Sequence, residues 1–102
     1  LLNKFKEQLL KDFEMSNVHR YLQPINDFSY EAIHLNLSCA LKKIIDSGYS
    51  NYRQLLYRID ISEKQYKDAI KEQKSVDSND VIADLVIKRI LQKVILKVVY
   101  SK

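Results

Sequence analysis

One glycine, one proline and one cysteine are all that 102 residues contain of the types that bend, break or cross-link a chain. Sandwiches and barrels need turn residues every eight to twelve positions, so their near absence excludes most all-β architectures and points to an all-α class. One glycine cannot build a glycine-rich phosphate loop. The lone Cys39 has no partner for an internal bridge and no second thiol for a structural zinc site. No charged n-region, apolar h-region and cleavage site opens the chain, which places the expectation in the cytoplasm. The chain starts Leu1-Leu2 rather than Met, as a trimmed or partial product would.

What is present is a chain 46% hydrophobic and 29% charged, long enough for one domain spanning 1–102 that buries its own core. The formal charge is +4 and unevenly placed. Residues 1–80 carry twelve Lys/Arg and twelve Asp/Glu, whereas 81–102 carry five and one, so the excess lies in the last segment. Lysine outnumbers arginine thirteen to four. Arginine is the residue of bidentate phosphate and base recognition, so this basicity is a weak pointer to nucleic acid.

Hydrophobic periodicity predicts five helices, at 2–15, 30–46, 51–59, 63–73 and 80–100. Residues 1–28 form an N-terminal helix with Leu2, Phe5, Leu9 and Phe13 at helical spacing, followed by a long connection; this part is expected to pack on the domain or project as a mobile arm. The second helix has Ser29 as N-cap, a stripe of Ile33, Leu37, Ala40, Leu41, Ile44 and Ile45, and Gly48 at a left-handed C′ position. Ser62 and Gln65 spell a capping box for the fourth, with Ile61 and Tyr66 as its staple and Glu63/Lys67 and Lys64/Asp68 as exposed pairs. Ser75 to Asn79 reads as a polar linker, and Asn79 or Asp80 as the cap of the last helix.

That last helix is the expected hub of a small five-helix bundle. Thirteen of the nineteen residues from Val81 to Val99 are apolar. Ala83, Ile87, Ile90, Leu91, Val94 and Val98 form one face, and the remaining apolar residues are scattered among the charges. Such a helix either sits centrally or meets a second chain. Its charges exclude a membrane span. Arg89, Lys93 and Lys97, with Lys88 and Lys102 nearby, make a basic stripe suited to an acidic partner.

The chemistry-bearing residues do not assemble. Glu31-x-x-His34 has the spacing of carboxylate-bridged di-metal bundles, but no second such motif exists. His34 shares the polar face of its helix with Ser38 and Lys42 and is expected to face solvent. Cys39, beside the core stripe, reads as a small buried hydrophobe. The sequon Asn36-Leu37-Ser38 falls inside a helix. No acid, base and oxyanion site come together, so neither an enzyme nor a cofactor or metal site is expected.

The run from Leu55 to Tyr66 resembles the turn of a helix-turn-helix DNA-binding unit, with Ser62, Lys64, Gln65 and Lys67 displayed by the second helix. That resemblance implies major-groove contact by the helix N-terminus. It departs at Asp60, where the motif favours glycine, and at Leu56, where it favours a small residue. The same run, with Val81 to Ile87 and Leu91-Gln92-Lys93, is also similar to a family of small bacterial all-helical proteins with no assigned activity. The reading from the sequence is therefore a non-catalytic protein-interaction or assembly module, partnered by a protein or by itself. The alternative is a helix-turn-helix nucleic-acid binder.

Overall fold

The computed structural model describes residues 1–73 and 77–100. Its elements are α1 (Leu2–Met15), a 3-10 turn (His19–Tyr21), α2 (Tyr30–Ser47), α3 (Tyr49–Ile59), α4 (Glu63–Glu72) and α5 (Ser78–Tyr100). No strand occurs among the described residues. Part of the expected 75–79 linker and Lys102 lie outside them.

α5 is the axis of the bundle. At 23 residues it is roughly 35 Å long by the helical rise, in a molecule whose longest dimension is 40 Å. Tyr30 bonds Asp84 and His34 bonds the Asp80 carbonyl, so α2 runs antiparallel to it. α1 is also antiparallel, since Asp12 meets Lys93 and Gln8 meets Lys97. α4 packs on its first half, and α3 is wedged between α1, α2 and α5.

The buried set on α5 corrects the expected stripe. Ala83, Ile87, Ile90 and Val94 are buried as expected, and Val81, Ile82 and Val86 are buried as well. Leu91 and Val98 are only half-buried. Covered from several sides, the first two-thirds of the helix buries a face wider than expected, while Lys88 on the opposite side stays exposed. Beyond Val94 the cover thins, and Ile95, Leu96, Val99 and Tyr100 are exposed.

With so little glycine, the helices stop by other means. Val18 N–H reaches the Phe13 carbonyl and Asn17 N–H the Glu14 carbonyl, the paired bonds of a Schellman motif with Asn17 at φ 58°. α3 ends the same way: Ile61 N–H bonds Leu56 O and Asp60 N–H bonds Tyr57 O, with Asp60 at φ 74°. In each motif the two flanking hydrophobics, Phe13 and Val18 or Leu56 and Ile61, are buried. Gly48 does a different task. Its φ of 149° and ψ of 129° are not the left-handed C′ conformation expected, but a one-residue joint closing α2 and opening α3.

Local signals elsewhere are realised. The Ser29 side chain accepts from Ala32 N–H, and the Ser62–Gln65 capping box is complete in both directions. α5 starts two residues earlier than expected because Asp77, not Asn79 or Asp80, caps it: its carboxylate accepts from Asn79 N–H at 2.8 Å. The connection between α1 and α2 is held at several points. Val18 and Ile25 are buried, Lys6 donates to the Ile25 carbonyl, and the Asn36 side chain exchanges two hydrogen bonds with the Gln23 backbone. Asn36, the residue of the sequon, is thus occupied within the fold.

Candidate interaction surfaces

The basic stripe of α5 turns toward the chain's own polar groups. Arg89 donates to the Asp60 carboxylate at 2.6 Å and to Gln92 at 2.8 Å. Lys93 pairs with Asp12 at 2.8 Å and reaches the Arg58 carbonyl at 3.4 Å. Lys97 donates to Gln8 Oε1, and Gln8 Nε2 donates to Asp12 Oδ1. Lys97, Gln8, Asp12 and Lys93 therefore form one ladder across the α1–α5 contact. Asp12 is only 2% exposed, and a carboxylate that deep requires its partner. This ladder fixes the register of α1 on α5, while Phe5, Leu9 and Phe13 supply the buried apolar area.

A second polar cluster joins α2 to the start of α5. The His34 ring stacks on Tyr30 with centroids 5.4 Å apart. Its Nε2 lies 2.8 Å from the Asp80 carbonyl, which can only accept, so that nitrogen carries the proton. Ser38 donates to the Asp80 carboxylate and Tyr30 to Asp84. The expectation of a solvent-facing His34 is thus corrected: His34 and Ser38 border α5, while Lys42 further along the same face is exposed. The hydrogen bond to Asp84 pushes the Tyr30 hydroxyl up to about 12. Burial pushes the Asp84 carboxyl up, but hydrogen bonds from Lys88 and Tyr30 outweigh it and hold it below its ordinary value. Cys39 is exposed, not buried, on the outer face of α2. Among the described residues no group of three or more His, Cys, Asp or Glu could hold a metal ion.

Of the four residues suggested for DNA contact, Lys64 alone has no partner among the described residues. Ser62 Oγ accepts from Gln65 N–H and Gln65 Oε1 accepts from Ser62 N–H, so both side chains are engaged in the cap. Lys67 pairs with Glu63 at 2.6 Å, which holds the Glu63 carboxyl below the usual range. α3 and α4 meet through the tyrosines of their packed faces rather than by close backbone approach. Tyr52 and Tyr66 sit edge to face at 6.4 Å, and the Tyr49 and Tyr66 hydroxyls are 3.2 Å apart.

Two surfaces stand out among the described residues. One is the free end of α5, where Ile95, Leu96 and Val99 are 48%, 43% and 57% exposed and Leu2 of the antiparallel α1 lies at the same end of the bundle. The other is a groove of about 670 Å³ between α3 and the start of α4. The sequence marked the last helix as one that could meet a second chain, though not this end of it, and did not mark the groove. The first had its signal in the apolar residues left outside the core stripe of α5. The second had none, because it depends on how far two helices are splayed.

No family model, curated protein or solved structure matches this chain. No helix among the described residues is long and apolar enough to cross a membrane.

Proposed function

We propose that this chain is a non-catalytic protein-interaction module that associates with a second copy of itself through the free end of α5. The observation that carries the reading is the exposed apolar face of Ile95, Leu96 and Val99 on the last turns of α5. With Tyr100 the patch comes to on the order of 500 Å², as large as the largest apolar patches on ordinary monomers. A two-fold contact uses the same patch twice and would bury about 1,000 Å², the lower limit of a specific interface. The dimer is accordingly weak, with a dissociation constant on the order of micromolar or above. Sedimentation across a concentration series is expected to show a monomer–dimer equilibrium. Leu96→Asp with Val99→Asp should leave only monomer without lowering the melting temperature, because neither side chain is in the core. A wild-type protein that stays strictly monomeric at millimolar concentration would falsify this reading.

The nucleic-acid alternative draws support from the left-handed Asp60 and the complete capping box, which give the α3–α4 turn a workable geometry. The commitment of Ser62, Gln65 and Lys67 to local partners weighs against it. Duplex DNA binding that weakens steeply with salt and responds to Lys64→Glu would favour it. No binding at low salt would remove it.

A further inference from the structure

The four arginines divide sharply in what they hold. Arg89 is paired with Asp60, and Arg20 bonds the Asn17 carbonyl and the Tyr21 hydroxyl. Arg53 has only a loose contact with Glu63 at 3.9 Å, and Glu63 is already held by Lys67 at 2.6 Å. No hydrogen bond or ion pair involves the Arg58 guanidinium among the described residues. Both of these side chains are exposed and both line the groove between α3 and α4, whose floor is apolar, with Leu56 and Ile61 buried beneath it. The Tyr49 and Tyr66 hydroxyls bond each other at one side. Two hydroxyls that share one hydrogen bond retain one further O–H to donate. That hydrogen bond and burial push the Tyr66 hydroxyl up to about 12, so it stays protonated.

We propose that this groove binds a short acidic peptide segment, Arg53 and Arg58 taking its carboxylates, the tyrosine pair donating one hydrogen bond and an apolar side chain covering the floor. The dimensions favour a peptide over a single anion. Arg53 and Arg58 are five residues apart, about 7.5 Å along the helix axis. Five residues also turn the helix by about 140°, so the two guanidiniums diverge and are served better by two carboxylates of one segment than by one anion. Planar guanidinium forks suit carboxylates, and only the loose Arg53–Glu63 contact is given up. This site is separate from the free end of α5 and stands independently of self-association.

The test uses an acetylated and amidated Glu-Leu-Glu-Leu tetrapeptide, with the Gln-for-Glu and Lys-for-Glu peptides as controls, followed by amide NMR spectra of the full chain. The acidic peptide is expected to shift signals of residues 49–66 saturably. Affinity should fall about tenfold or more with the Gln peptide or in the Arg53→Glu, Arg58→Glu variant, given about 1.5–3 kcal/mol for a hydrogen bond to a charged group. Both substitutions are at exposed sites, and an unchanged melting temperature checks that the fold is kept. Glu63→Gln should tighten binding by freeing Arg53. Equal shifts with the Gln and Glu peptides, no shifts at millimolar peptide, or shifts confined to α1 and α5 would each overturn the proposal. Because Leu96→Asp with Val99→Asp leaves the groove intact, repeating the titration on that monomeric variant separates failure of this site from failure of the dimer.

Discussion

Asn17 and Asp60 occupy backbone positions that glycine would fill at less conformational cost. A left-handed residue with a Cβ carries roughly 1–2 kcal/mol of strain, part of which polar side chains such as these relieve locally. Their surroundings differ. Among the described residues no hydrogen bond engages the Asn17 side chain, although its carbonyl accepts from Arg20, whereas the Asp60 carboxylate accepts from Arg89. Asn17→Gly is therefore expected to raise stability by about 0.5–1 kcal/mol, and Asp60→Gly to change it by less because the Arg89 pair is lost. Denaturant midpoints of the two variants against wild type check this, and a larger gain at Asp60 would contradict the comparison. These stops were only partly legible in the sequence. The pattern that marks them is a hydrophobic pair five residues apart around an Asn or Asp, and it is hidden because Gly is the usual flag.

The individual helices show a consistent division between what a sequence discloses and what it withholds. The capping box at Ser62, the Ser29 cap and the inward face of α2 depend on residues within a turn or two, and all were legible. The direction of Arg89, Lys93 and Lys97 was not, since Lys93 is answered by Asp12, 81 positions away. Exposure of Cys39 and half-burial of His34 turn on which side of α2 meets α5, a tertiary fact. For α5 the same distinction gives a mutational contrast. Ile82 is fully buried and Leu91 is half-buried. Truncating a fully buried isoleucine costs about 2–5 kcal/mol before any charge is added. Ile82→Asp should therefore unfold the domain, while Leu91→Asp should keep a cooperative thermal transition at a lower midpoint. Circular dichroism melts distinguish them, and an equal loss in both would mean that the core is not centred on the first two-thirds of α5.

At the level of the whole molecule, tyrosine hydroxyls sit where helices are joined. Tyr30 ties α2 to α5, and Tyr49, Tyr52 and Tyr66 lie between α3 and α4. The Tyr30 and Tyr66 hydroxyls are pushed up to about 12, by the bond to Asp84 in one case and to Tyr49 in the other. Burial pushes Tyr52 up as well. A folded-state value above the unfolded one of about 10 means that stability from these groups is full below pH 10 and is lost as pH rises through about 12. Melting temperatures are expected to fall over that window, and Tyr30→Phe should flatten part of the decline. A profile that is flat up to pH 12 would show that the hydroxyls do not connect the helices.

The position of α5 in the chain also bears on how the protein is made. Residues 1–77 leave the ribosome before the helix they pack around, so the apolar faces of α1 to α4 lack their common cover. At about 5–20 residues per second, synthesis of the 23 residues of α5 occupies roughly one to five seconds. During that interval the nascent chain exposes Phe5, Leu9, Leu37 and Leu55 without their final neighbours, and holding chaperones would have their opening. The bundle is therefore expected to close only once its axial helix has been made.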